Sequence, residues 1–514
     1  MKPELFSSLK GYKKQDLVKD LFAGLMVAII ALPLSIALGI QSVPGSNHAV
    51  QFGIITAIVA GFFISFLGGS KYQIGGPTAA FVVILASYVS NPNIGLLGLA
   101  IAGIMAGIIL IVMGLLRAGN VMKFFPYPIT IGFTTGIGIT LIIGQINDLG
   151  AFNVTGVSEA VHKFIAYFEN IKNFDLATFG VGAIGLLCVI LLPKINKRIP
   201  SAFVALIVCT GVTLLLNGVF GTSVATIGSK FGKIEAGFFP IDFSSIENVK
   251  FTALIVPSIV IAFLCAIESL LSATVASGMT NTKFNPNQEL MGQGIANIAS
   301  SLLGGLPATG AIARTAAGIE NGARSPLTGV FHALFLLVFY FALMSVMQFI
   351  PLAVFSAILI SVAINMSRFK LFGKLLRFGV RDCIILVVTC VLTVVFDLTY
   401  GVLGGVAVTF ILNIQNFKKG LKTEIVESKR RNVVKAKGTI FFVNANKLVA
   451  VLEKASEGKD MVTLDLNKIE SIDQTALEKI STLKKKMTLQ GKTLDFVGAN
   501  KKLANRLDKF LKVI

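Results

Sequence analysis

Apolar runs recur from residue 16 to residue 416, separated by polar or Gly/Pro breaks. A bilayer crossing takes roughly 20 apolar residues. In lipid every backbone polar group must be satisfied inside the protein, so such runs fold as helices packed on one another. The predicted segments are 16–40, 49–67, 78–90, 94–116, 126–147, 175–192 and 200–218, then 250–277, 289–303, 308–319, 326–346, 351–366, 381–397 and 400–416. That makes about 14 segments in two sets, several of them too short to cross alone. Composition agrees: 54% of residues are hydrophobic, 14% are charged, and mean hydropathy is +0.80. A soluble surface needs more charge. The fold class expected is a polytopic α-helical membrane protein.

The net charge of +20 fits topology better than nucleic acid. With the N-terminus placed in the cytoplasm, the inner loops hold Lys71, Arg117, Lys123, Lys194, Lys197, Arg198, Lys283, Arg324 and the stretch Arg368 to Arg381. The outer loops near 41–48, 91–93, 347–350 and 398–400 carry no Lys or Arg. Cytoplasmic loops collect basic residues, so both termini are expected inside the cell. No base-reading module accompanies the charge, and nucleic-acid binding is not expected. Cys188, Cys209, Cys265, Cys383 and Cys390 lie in apolar runs without metal-type spacing and read as small core residues. The first apolar run is too long for the core of a cleavable signal peptide.

Beyond residue 416 the character changes. Residues 417–437 read as a basic linker carrying Lys418, Lys419, Lys422, Lys429, Arg430 and Arg431. Residues 438–514 read as a small α/β domain, with strands at 439–443, 461–466 and 493–497 and helices at 446–456 and 474–489.

The two sets of segments share a break. Residues 75–81 read Gly-Gly-Pro-Thr-Ala-Ala-Phe, and 304–311 read Gly-Gly-Leu-Pro-Ala-Thr-Gly-Ala. Each heads a short apolar segment, third in its set. Seven segments per set imply that the second set, about 250–416, is inverted relative to the first, about 16–218. Matched Gly/Pro-interrupted segments point to a transporter binding site. Helices starting near Thr78 and Thr309 would turn free N–H groups and positive dipole ends toward one point. Such a point holds an anion with few charged side chains.

Nearby polar positions extend the reading. Glu268 is the one carboxylate placed deep in the membrane, where a charge is costly and functional. With Ser269, Ser272 and backbone carbonyls it could hold Na⁺, or it could carry a proton. Arg314 could lend positive potential to the anion, point to the cytoplasm or pair with an acid. His332 reads as a hydrogen-bonded packing residue. Pro33 bends the first segment, and Ser35 could contact substrate. Phe81 lines the pocket or packs. The candidate anion-binding set is Ser35, Thr78, Ala79, Phe81, Thr309, Gly310, Ala311 and Arg314.

The chain resembles the SulP (sulfate permease) family of anion transporters with a C-terminal STAS domain. The resemblance rests on Ala-Leu-Pro-Leu-Ser-Ile-Ala at 31–37, the run at 75–81 and Phe-Pro-Tyr-Pro-Ile-Thr-Ile-Gly-Phe-Thr-Thr-Gly-Ile at 125–137. It also rests on Leu-Pro-Ala-Thr-Gly-Ala-Ile-Ala-Arg-Thr at 306–315 and Ile-Pro-Leu-Ala at 350–353. It implies a seven-plus-seven inverted repeat, a core domain moving against a gate domain, and a homodimer. It also implies an anion between the third and tenth helices. By resemblance Glu268 falls where a similar bicarbonate transporter uses a carboxylate for Na⁺, and Arg314 at a pocket arginine. Many members have Gln after the first-helix Leu-Pro, where this chain has Leu34. Residues 464–477 resemble the STAS turn, which in related soluble domains reads Asp-Ser-Ser-Gly with a phosphorylated serine. Here it reads Asp473-Gln474-Thr475-Ala476, so a structural or dimerising role is favoured over a phosphoswitch, with Thr475 the candidate regulatory hydroxyl.

The function expected is secondary transport of sulfate, bicarbonate or a similar small anion, coupled to Na⁺ or H⁺, in the cell membrane. A nucleobase–cation symporter of the same architecture and a non-transporting sensor or scaffold are the alternatives. No nucleophile–base or metal constellation suggests an enzyme.

Overall fold

The computed structural model describes residues 2–119, 126–154, 157, 159–196, 199–240, 242, 244, 246–280, 282–367, 369–376, 379–396, 398–427, 431–499, 503–504 and 507. Lys123, Lys197, Arg198, Arg368, Lys429 and Arg430 of the predicted basic stretches lie outside these residues. The chain forms two compact units, Met1–Met122 with Ile137–Met366, and Lys123–Gly136 with Ser367–Ile514.

The first unit is helical. In order come α1 (Glu4–Ser8), α2 (Lys14–Ser42), α3 (Ala49–Leu67), the two-residue strand β1 (Gly75–Gly76), α4 (Ala79–Ser90) and α5 (Gly95–Leu115). There follow α6 (Tyr127–Gly150), whose first residues belong to the second unit, then α7 (Ala160–Glu169), α8 (Leu176–Ile195), α9 (Ser201–Val219) and α10 (Ile227–Phe231). The later half holds α11 (Phe251–Thr280), α12 (Pro286–Leu302), strand β2 (Thr309–Gly310), α13 (Ile312–Glu320), α14 (Leu327–Met347) and α15 (Leu352–Ser367). Among the described residues nine helices are long and apolar enough to cross a membrane. Each predicted apolar segment falls on a helix, with ends mostly within a few residues.

Local chemistry sets several of these ends. Asp175 caps α8 by accepting the N–H of Thr178 at 2.8 Å, and Asn285 caps α12 through Asn287 and Gln288. Pro286 opens α12, where its missing N–H costs nothing. Helices α5 and α12 meet through Gly107 and Gly294, where a Cβ on Gly294 would lie 2.5 Å from the Gly107 carbonyl oxygen. With little hydrophobic drive between helices in lipid, this backbone proximity supplies the packing.

Two carboxylates in this unit are fully buried among the described residues. Asp20 accepts the main-chain N–H of Arg324 and Ser325 and the hydroxyls of Tyr12, Ser325 and Thr328. Glu289 accepts the N–H of Gly69 and Ser70 and the amide of Gln293. Both bind loop or helix-start amides that have no other acceptor in a helical fold.

The second unit contains the start of α6, then α16 (Phe369–Leu375), α17 (Val380–Val395) and α18 (Leu398–Lys419). It continues with β3 (Leu421–Val426), β4 (Asn432–Ile440), α19 (Ala445–Ala455), β5 (Met461–Ile472), α20 (Gln474–Leu489) and β6 (Thr493–Val497). The sheet order is β3-β4-β5-β6, with β3 antiparallel to β4 and the other pairs parallel. Both helices pack on it through Leu448, Leu452, Leu477 and Ile480.

Within 417–437, expected as a basic linker, the described residues instead form the end of α18, β3 and most of β4. Leu421 is buried, Ile425 is half-buried and Lys422 and Glu424 face out. This alternation is a strand pattern that the surrounding lysines masked. The strand expected at 439–443 ends at Ile440, because the Asn444 side chain takes the Phe441 N–H at 2.9 Å and turns the chain into α19.

Candidate functional site

The two broken segments meet as a miniature sheet. β1 and β2 pair antiparallel, Gly75 opposite Gly310 and Gly76 opposite Thr309. The Ala311 N–H donates to the Ile74 carbonyl at 2.9 Å and extends the contact. Glycine is required here by space: a Cβ on Gly75 would lie 2.1 Å from Ile64 Cδ1, and one on Gly310 would lie 1.6 Å from Gln73 Nε2. Gly76 also has φ +145°, with a Cβ position 2.0 Å from Arg314 Nη1.

Helices α4 and α13 begin just beyond these strands, and neither start is capped by a side chain. First-turn N–H groups of such helices have no partner within the helix. Thr78 occupies the N-cap of α4, yet its hydroxyl donates to Glu268 Oε2 on α11 at 3.0 Å. Ala79 and Phe81 are buried behind it.

Arg314, in the first turn of α13, is 1% exposed. Its Nη1 donates to the Gly75 carbonyl at 3.1 Å, and Nη2 donates to the Pro77 carbonyl at 3.1 Å and to Ser35 Oγ at 3.3 Å. It forms no ion pair among the described residues, and its Nε has no hydrogen-bond partner. Of the three readings of Arg314, the pairing with an acid is thereby corrected. Ser35 lies two residues beyond Pro33 in α2 and donates to the Ala31 carbonyl at 2.7 Å. The structure thus brings Ser35, Thr78 and Arg314 to the head of α4.

Other candidates have different partners from those expected. The Gly310 N–H donates to Ser269 Oγ at 3.0 Å, and Thr309 Oγ1 lies 2.7 Å from the same oxygen. The amides of Gly310 and Ala311 are therefore internal struts rather than free anion donors. Ser269 and Ser272 do not bond Glu268. Ser269 belongs to the Thr309 contact, and Ser272 Oγ donates to Thr315 Oγ1 at 3.4 Å. Adjacent residues of a helix point about 100° apart, so Ser269 cannot share the direction of Glu268. Thr78 stands in their place. His332, read as hydrogen-bonded, is fully buried with both ring nitrogens lacking a hydrogen-bond partner. It packs against Gly61, whose Cβ position would be 3.6 Å from the ring.

Sequence reasoning missed Gln73, Asn297 and Thr56, which hold the broken backbone. Gln73 Nε2 donates to the Ser269 carbonyl at 3.0 Å, and Thr56 Oγ1 accepts the Leu306 N–H at 2.7 Å. For Thr56 and Asn297, a polar residue within an apolar segment was the available signal.

In the second unit Thr475 is 2% exposed. Its hydroxyl accepts the Tyr127 N–H at 2.9 Å, at the first residue of α6. The neighbouring Gln474 N–H donates to Asp382 at 3.2 Å, and the Gln474 amide donates to the Leu375 carbonyl at 3.1 Å. As folded, the candidate regulatory hydroxyl is occupied as a structural acceptor.

Comparison with known proteins fits this architecture. The family model described as the sulfate permease family matches residues 17–389, and the STAS domain model matches 422–511. The chain is 36% identical over 518 residues to the putative sulfate transporter YvdB of Bacillus subtilis, covering 98% of this chain and 96% of that one. It is 32% identical over 420 residues to the bicarbonate transporter BicA of Picosynechococcus, covering 80% and 72% respectively. The solved transmembrane domain of a cyanobacterial BicA superposes with a TM-score of 0.67 at 28% identity, covering 76% of this chain and 98% of that one. SLC26A9, at 17% identity, shares the fold with a TM-score of 0.71 over 98% of this chain and 88% of that one. A multi-pass helical chain with broken segments paired at residues 75–76 and 309–310, followed by an α/β domain, belongs to the sulfate permease family and carries a C-terminal STAS domain.

Proposed function

We propose that the protein is a secondary transporter of a small inorganic anion, sulfate or bicarbonate, driven by entry of Na⁺ or H⁺. One observation carries this reading: Arg314 is fully buried beside the uncapped start of α4, with no carboxylate partner among the described residues. A buried guanidinium bonded only to carbonyls and a hydroxyl retains its full charge, and an anion is the group that balances it. The dipole ends of α4 and α13 add to the same potential. Ser35, Thr78, Ala79, Phe81 and Arg314 form the anion side, and Thr309, Gly310 and Ala311 brace it. Sulfate and bicarbonate are the cargoes named for the relatives.

Glu268 receives the coupling cation, with Thr78 as its neighbour instead of Ser269 or Ser272. Thr78 stands between the carboxylate and the α4 start, so cation binding at Glu268 redirects its hydroxyl at the anion site. The transmembrane part acts as a core moving against a gate, in a homodimer in the cell's inner or plasma membrane with both termini cytoplasmic. The STAS domain begins near residue 421, and Thr475 serves it as a structural contact. Nothing in the arrangement calls for catalysis.

The test is uptake of labelled sulfate and bicarbonate by the full chain in proteoliposomes, under imposed Na⁺ or H⁺ gradients. Accumulation with one gradient is the expected result. No accumulation of either anion under any gradient overturns the reading in favour of a non-transporting scaffold.

A further inference from the structure

A strand of two residues inside a membrane protein has too few main-chain partners to hold its approach segment. In residues 306–308, Pro307 has no N–H, and the remaining polar groups must be met by side chains. Ser300 Oγ donates to the Leu306 carbonyl at 2.7 Å, and Thr56 accepts the Leu306 N–H. At Ala308 one side chain does both tasks. Asn297 Oδ1 accepts the Ala308 N–H at 2.8 Å, and Asn297 Nδ2 donates to the Ala308 carbonyl at 2.9 Å. The same Nδ2 donates to the Gln293 carbonyl one turn back at 2.8 Å, which fixes its rotation. Asn297 and Ala308 are both fully buried.

We infer that Asn297 is a positioning residue for the anion site, its carboxamide serving as a substitute strand for Ala308. The inference rests on the proposed anion-binding role of that site. Ala308 immediately precedes Thr309 and Gly310, the residues that pair with Gly76 and Gly75. Two residues further on α13 begins, and its first turn carries Arg314. Holding the Ala308 peptide plane therefore sets the register of β2 and the aim of Arg314 across to Gly75 and Pro77. Binding constellations need their geometry held within roughly 0.5 Å.

Only a short carboxamide fits the task, since it presents one acceptor and one donor to a single residue. Aspartate keeps the acceptor but sets an oxygen against the Ala308 carbonyl. Alanine supplies neither group. Cys265 reports on the same place, because its thiol lies 3.3 Å from the Ala308 carbonyl and 3.6 Å from Asn297 Nδ2.

The test uses the full chain in proteoliposomes, with Asn297→Ala and Asn297→Asp made alongside wild type. It also uses a background in which the other four cysteines are replaced by serine or alanine. The expected result is a rise of about tenfold in KM for labelled sulfate or bicarbonate, with maximal rate within about twofold. Cys265, silent to a small permeant maleimide in the parent, is expected to label in Asn297→Ala. Unchanged KM in both variants, or a fall in maximal rate alone that tracks folded protein, overturns the inference. If wild type takes up neither anion, the transport reading fails and the thiol decides the clamp: an unreactive Cys265 in Asn297→Ala overturns it as well.

Discussion

Thr78 donates its hydroxyl to Glu268 at 3.0 Å, across from α4 to α11, and leaves its own helix start uncapped. N-cap threonines ordinarily accept from the first turn of their own helix. Here the cap is exchanged for a bond to a half-buried acid, which joins the proposed anion side to the proposed cation side. Glu268→Gln is expected to abolish Na⁺ or H⁺ dependence of anion uptake while leaving the fold intact. Coupling that persists in this variant would remove Glu268 from the mechanism. Thr78→Val is expected to raise the half-saturating cation concentration, read from the same uptake assay.

Among the described residues Arg314 supplies the one buried positive side chain at the head of α4. Arg314→Ala is expected to raise KM for the anion by roughly tenfold to a hundredfold, corresponding to ~1.4–2.8 kcal/mol. Arg314→Lys is expected to restore little, because a single ammonium cannot reach two carbonyls and a hydroxyl in one plane. An unaltered KM in Arg314→Ala would place the guanidinium outside the pocket.

Asp20 ties the start of α14 to the N-terminal segment through five donors. Asp20→Ala leaves buried N–H and O–H groups without acceptors, at ~1–3 kcal/mol each. A lower melting temperature and poorer extraction as folded protein are the expected readouts. Melting like wild type would mean that other acceptors replace Asp20.

Tyr12 adds a pH signature. Burial first, and then its bond to Asp20, raise its hydroxyl above the ordinary 10.0. An unfolded tyrosine loses its proton first, so this contribution is complete below pH ~10 and declines as pH rises above it. Tyr12→Phe is expected to melt lower at neutral pH and to show a shallower alkaline loss than wild type. Parallel alkaline curves would exclude Tyr12 as the source.

Thr475 accepts the first N–H of α6 from the start of α20. Thr475→Ser keeps the acceptor and is expected to melt like wild type. Thr475→Val removes the Thr475 acceptor from the Tyr127 N–H and is expected to cost ~1–3 kcal/mol. Equal melting of the two variants would show that the contact carries no weight.

Helix positions were legible because apolar runs of that length leave the backbone no alternative in lipid. Gly/Pro breaks at 75–77 and 304–307 likewise exposed the two short helices, since few other residues tolerate that backbone. What remained hidden was long-range pairing. Nothing local in Asn297, Thr56 or Gln73 announces that each serves a peptide far along the chain. Ser269 faces Thr309 rather than Glu268 because sequence adjacency is not angular adjacency on a helix. Strand β3 was hidden because Lys422 and the lysines just before it in sequence resemble a stop-transfer flank, while its inward period is only three residues long.

Three of the four residues in the β1–β2 joint are glycines with no room for a methyl group. Thr309 alone of the joint residues can therefore vary without displacing a neighbouring side chain to admit a Cβ. A descendant that exchanges one cargo for another has to do so from the surrounding walls, at positions such as Ser35 or Thr78. Related carriers would then keep one unchanging centre inside a changeable lining, and their substrate ranges would diverge without any alteration of the crossing point.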